Sequence, residues 1–99
     1  PLMALGAKGV ISVAANGYPE LFCEMVKAMM EDNAMMARGI HYKLLKMNNL
    51  IFADGNPSGI KCLMAYNNLC KNVLRLPLVP VSDVVKADIE TEFNNMKKI

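Results

Sequence analysis

Apolar residues recur along this chain with two different periods. Leu21, Phe22, Met25, Val26, Met29 and Met30 fall on one face of a 3.6-residue helix. Met36, Ile40, Leu44, Met47 and Ile51 keep helical spacing over about five turns. Ile60, Leu63, Met64 and Tyr66 mark a shorter helix, and Val85, Ile89, Phe93 and Met96 a last one. GVISVAAN, residues 9–16, breaks this rhythm. Val10, Ile11 and Val13 are β-branched, and no polar residue alternates with them. Such a run predicts a short β-strand covered on both faces.

Turn and cap residues set the boundaries. Residues 2–5, LMAL, predict the last turn of a helix that Gly6 ends in the left-handed conformation. Asn16-Gly17 predicts the turn after the strand. Pro19 suits the first turn of the next helix, where Glu20 complements the dipole. Asp32 or Asn33 caps the long helix that follows, and Asp54-Gly55 ends it. Gly39 interrupts that helix at a cost of ~1 kcal/mol relative to Ala. Asn56-Pro57 opens another helix. LRLPLVPV, residues 74–81, holds two prolines, which block a helix and a central strand and predict an extended apolar strap across the helices. Ser82 caps the last helix, and Lys97 and Lys98 suit its C-terminal end. The expected fold is mostly α, with about five helices and one short strand.

Composition narrows the classes. With 99 residues, 54% of them hydrophobic, the chain can build one small core. Eleven basic and nine acidic residues leave a net charge of +2, and aromatic residues are few, with no Trp, so no nucleic-acid partner is expected. No apolar run approaches the ~20 residues of a membrane span. The first residues, PLMALGAKG, lack a signal-peptide pattern and an initiator Met, so a cytoplasmic protein is expected, processed or cut from a longer one. Cys23, Cys62 and Cys70 are irregularly spaced and are expected to be reduced, buried thiols. His41 is the only histidine, too few for a zinc site of about four ligands, and no metal or cofactor is expected. Nine Met residues are many; Met25, Met29, Met36 and Met47 recur at core positions and are expected to fill a core, with a promiscuous Met-rich groove as the alternative.

A lone strand cannot satisfy its own backbone. Three resolutions stay open: it pairs with a copy of itself, it is no strand in isolation, or it belongs to a larger α/β protein whose other strands lie elsewhere. The third accounts for most, because helix end, strand, turn and helix form one βα unit of a parallel sheet or barrel.

At this point GVISVAAN (9–16), FADGNPSGIK (52–61) and LRLPLVPVS (74–82) resemble the C-terminal third of dihydrodipicolinate synthases, in the pyruvate-dependent aldolase and lyase family that includes N-acetylneuraminate lyase. The resemblance implies a (β/α)8 barrel with appended C-terminal helices. Residues 1–31 would be its last βα unit and residues 32–99 the helical segment. It implies a Schiff-base lyase that condenses pyruvate with aspartate semialdehyde in lysine biosynthesis. The family's catalytic lysine and tyrosines match nothing in this chain, so alone it is expected to be inactive. By the same match Ile11 packs beside bound pyruvate and Asn56 lies near the barrel mouth. Gly55 and Gly59 stand where relatives often carry proline, which implies a looser loop.

Other residues invite chemistry less well. Lys61 in SGIKCL echoes the family's catalytic GIK, but a Schiff-base lysine must be partly desolvated and Lys61 opens a helix. Lys8 precedes the strand, at the rim away from barrel active sites. Ser12 and Ser82 have no His or Asp partner within sequence reach. A sister aldolase, or a self-associating helical module, is the alternative function. The apolar face of residues 21–30 and the unpaired strand predict a homo-oligomer, most simply a dimer.

Overall fold

The computed structural model describes residues 1–97. They form five helices: α1 (Ala14–Gly17), α2 (Pro19–Met30), α3 (Ala34–Ala53), α4 (Ser58–Tyr66) and α5 (Asp83–Lys97). The long α3 organises the rest, since α2, α4 and α5 all pack on it, and α4 and α5 also pack on each other. Its buried stripe runs through Ile40, Leu44, Met47 and Ile51. Leu44, Met47 and Ile51 meet Cys62 and Leu63 of α4 and Ile89 of α5 in a sealed centre. Each large apolar side chain so buried stabilises the fold by ~1.5–3 kcal/mol. Ile60, Val81, Phe93 and Met96 complete the cluster.

Helix ends follow the polar residues. Asn33 caps α3, its Oδ1 accepting from the Met36 N–H at 3.2 Å. Asp32 takes the left-handed conformation that closes α2, where the Asn33 N–H donates to Ala28 O at 2.8 Å and the Asp32 N–H to Met29 O at 3.2 Å. These are the paired bonds of a Schellman cap. Gly6, at φ +99, closes residues 1–7 in the same way, with Ala7 N–H donating to Leu2 O and Gly6 N–H to Met3 O, both at 3.0 Å. The helix end expected at LMAL is therefore present as a capped turn. The Ser82 hydroxyl accepts from Val85 N–H at 3.4 Å and starts α5. Lys97 lies 4.2 Å over the Phe93 ring, and Lys98 falls outside the described residues.

Several expectations need correction. No strand forms among the described residues. Residues 7–12 lack regular structure, and 14–17 form a helical turn. A strand needs a neighbour for its N–H and C=O groups, and none is available here. The strap at 74–81 covers the helices only in part: Val81 is buried and Leu74 half-buried, while Leu76, Leu78 and Val79 are exposed. Its chain turns outward, with Leu78 N–H donating to Arg75 O at 3.0 Å. Met36 is exposed and its neighbour Ala37 is buried instead. Cys62 is buried, but Cys23 is exposed and Cys70 half-buried. Cys23 stands two positions from both Leu21 and Met25, hence on the opposite side of α2. Those two residues and their helix face are largely covered by α3, with Met30 left exposed. The chain thus closes its own core.

Candidate functional site

Two stretches carry the residues expected to meet substrate: the segment before α1, with Ile11, and the α3–α4 loop, with Asn56. The first is fixed at its C-terminal end. Ser12 Oγ accepts from Ala15 N–H at 3.1 Å, and Asn16 Nδ2 donates back to Ser12 O and Val13 O at 3.3 and 3.2 Å. Gly17 is buried against Leu63 and Ile60, and its carbonyl accepts from Asn67 Nδ2 at 2.7 Å. A side chain at Gly17 would press on Leu63, so glycine is what lets α1 sit on α4. Ile11 stands just ahead of this anchor with 104% of its reference surface exposed.

The second stretch is held at both ends. Asp54 Oδ2 accepts from the Ser82 N–H at 2.7 Å, and Ser58 Oγ donates to Val79 O at 2.7 Å. These two bonds staple the 54–58 loop to the chain entering α5. The Ser82 N–H, and then its hydroxyl, hold the Asp54 carboxyl below the usual carboxylate range. Asn56 sits midway between the staples, exposed. Of the two glycines expected in this loop, Gly55 takes a positive φ of 92°, and Gly59 falls within α4. Ile11 keeps its whole side chain in solvent, so the chain does not bring Ile11 and Asn56 together.

Two grooves border these stretches. One, of about 440 Å³, is lined by Pro57, Lys61, Val73, Leu74, Arg75 and Leu78. The GIK lysine thus shares an open, partly apolar groove with another cation. The other, of about 260 Å³, lies between the start of α2 and the end of α4, against Tyr18, Glu20 and Asn67. Among the described residues the buried Tyr18 hydroxyl finds no hydrogen-bond partner. Burial, and secondarily the charge of Glu92, push it up to about 12. Glu92, nearly buried, is paired with Lys46 at 3.0 Å. The sequence offered no sign of this cluster, whose members come from separate elements. Burial also pushes the Cys62 thiol up, which makes it a poor nucleophile. His41 is half-buried with its ring 5.6 Å from that of Tyr42, and Lys8 is exposed.

The dihydrodipicolinate synthetase family model matches residues 1–96. The chain belongs to the dihydrodipicolinate synthetase family. It is 38% identical over 97 residues to the 4-hydroxy-tetrahydrodipicolinate synthase of Phocaeicola vulgatus, covering 98% of this chain and 33% of that protein. The enzyme of the same name from Parabacteroides distasonis is 45% identical over 80 residues, 81% of this chain and 27% of that one. A crystal structure of dihydrodipicolinate synthase from Aquifex aeolicus superposes with a TM-score of 0.92 at 35% identity, over 98% of this chain and 33% of that one. The chain spans about a third of the length of the curated relatives it matches. Its helices match the C-terminal part of the family's barrel protein. No helix among the described residues is long and apolar enough to cross a membrane.

Proposed function

We propose that this chain forms the C-terminal third of a 4-hydroxy-tetrahydrodipicolinate synthase. In this reading residues 1–31 are the last βα unit of the barrel and residues 32–99 its appended helical segment. The parent is a cytoplasmic, homo-oligomeric lyase that condenses pyruvate with aspartate semialdehyde in lysine biosynthesis. The family match over residues 1–96 carries this reading.

The chain's own share of the reaction is to bind and shape rather than to make bonds. Ile11 forms an apolar wall beside bound pyruvate. Its side chain is fully exposed on a segment that has no use for it internally, and so is free to line a pocket built elsewhere. Asn56, presented by the stapled loop, offers an amide donor and acceptor at the pocket mouth. Lys8 is exposed and Lys61 borders an open groove, and neither place supplies the desolvation a Schiff-base lysine needs. By itself the chain is inactive.

The test joins this chain to the upstream two thirds of the Phocaeicola vulgatus enzyme and compares Ile11→Asp with Ile11→Val. A carboxylate buried against a carboxylate substrate costs several kcal/mol, so kcat/KM should fall about 100-fold or more in the Asp variant. The Val variant should stay near the parent. Near-normal turnover in a folded Ile11→Asp enzyme would overturn the assignment.

A further inference from the structure

The groove of about 440 Å³ lies between the start of α4 and the strap that leads towards α5. It brings together two cations from different elements, Lys61 of α4 and Arg75 of the strap. None of the chain's nine acidic residues lines it. The ion pairs among the described residues use Lys27 and Lys46, and leave Lys61 and Arg75 without a carboxylate. Asp54, the acid nearest to Lys61 in sequence, accepts from the Ser82 N–H at 2.7 Å instead. Lys61 is half-buried, so it has already lost part of its hydration with no counter-ion in return.

The rest of the lining is apolar: Pro57, Val73, Leu74 and Leu78. Val73 and Leu78 keep 65 and 43% of their reference surface exposed, which an occupant would cover. The walls are also tied in place. Ser58 Oγ donates to Val79 O at 2.7 Å, joining the first residue of α4 to the strap, and Leu78 N–H donates to Arg75 O at 3.0 Å. The groove is formed before anything enters it, so little ordering opposes binding.

We propose that this groove is a binding site for a small organic anion, whose acidic head group is held by Lys61 and Arg75 and whose short aliphatic body lies against Val73, Leu74, Leu78 and Pro57. A guanidinium takes a carboxylate or a phosphate through paired N–H bonds, and the ammonium adds a second charge. A bare inorganic anion would leave the apolar walls wet. A neutral hydrocarbon would desolvate two cations without pairing them. The volume falls within the ~300–1,000 Å³ of small-molecule sites. The site shares no residue with Ile11 and Asn56 and does not rest on the proposed reaction, so it can fail while that reading stands.

The test is titration of this chain with hexanoate and with hexyl phosphate, followed through its backbone amide signals. The shifts should saturate and centre on Lys61, Leu74 and Arg75. The two probes separate a carboxylate head from a phosphate head, and saturable binding of either at this place meets the expectation. Hexanol and inorganic phosphate each carry half of the ligand's chemistry and should bind at least about tenfold more weakly. Lys61→Met and Arg75→Gln should each weaken binding about tenfold, with circular dichroism unchanged because neither side chain belongs to the core. Arg38→Gln, on an exposed turn of α3, should leave the affinity as it was. The comparison of probes uses the parent chain and decides even where a variant misfolds. Hexanol or inorganic phosphate binding as well as the full probes would overturn the proposal. So would folded charge variants of parental affinity, or the absence of any saturable shift at millimolar probe.

Discussion

Gly59 lies directly beneath the carbonyl of Ile51, so close that no Cβ fits between α4 and α3. The obstacle is backbone, which cannot swing aside as a side chain would. Gly59→Ala must therefore push the two helices apart at the centre of the core, and it should cost about 3 kcal/mol. Gly39, in the exposed middle of α3, has open space where a Cβ would stand, with nothing within 4 Å. There the same change removes only a helix-propensity penalty and should stabilise by about 1 kcal/mol. Urea unfolding of the two variants checks both values. Similar effects at the two sites would show that the α3–α4 crossing yields.

Tyr18 buries a hydroxyl that finds no partner among the described residues, near the paired carboxylate of Glu92. Tyr18→Phe removes the desolvated group and keeps the ring, so it should stabilise the fold by about 1 kcal/mol. The ionisation adds a signature in base. The folded-state value is raised to about 12 from 10.0, so the folded protein holds this proton longer than the unfolded chain. The advantage of the neutral phenol is complete below pH 10 and is lost as the pH rises through 12. Thermal melts at pH 9 to 12 should fall more steeply for the parent than for Tyr18→Phe, and parallel curves would contradict the assignment.

The Asp54–Ser82 staple should open in acid. The carboxyl is held below its ordinary value of 3.8, so the folded state binds this proton less readily than the unfolded chain. Its contribution is present above pH 3.8 and is lost as the pH falls through the lower folded-state value. The amide proton of Ser82, hydrogen-bonded at 2.7 Å, should shift upfield on that titration. In Asp54→Asn the shift should no longer titrate. A Ser82 signal flat in the parent would place its partner elsewhere.

Much of the helical architecture was legible because it is local. The 3.6-residue stripe of Ile40, Leu44, Met47 and Ile51 needs only its own helix to be read, and Asn33 and Gly6 announce their caps within a few residues. What the sequence hid depends on distant partners. Ser58 meets Val79 across 21 residues and Asp54 meets Ser82 across 28, so the tethering of the Asn56 loop has no local signal. The β-branched run at 10–13 speaks for a strand, yet a strand is a property of two segments, and the second is absent from the described residues. Ile11 at its centre is fully exposed, which no local pattern announces.

Borohydride trapping with pyruvate, followed by intact-mass and peptide mass spectrometry, tests most directly whether the chain walls the pocket without supplying its nucleophile. The isolated chain should keep its unmodified mass. Joined to the upstream two thirds of the Phocaeicola vulgatus enzyme, the product should gain one reduced adduct, on a lysine outside residues 1–99. A stoichiometric adduct on Lys8 or Lys61 would contradict this.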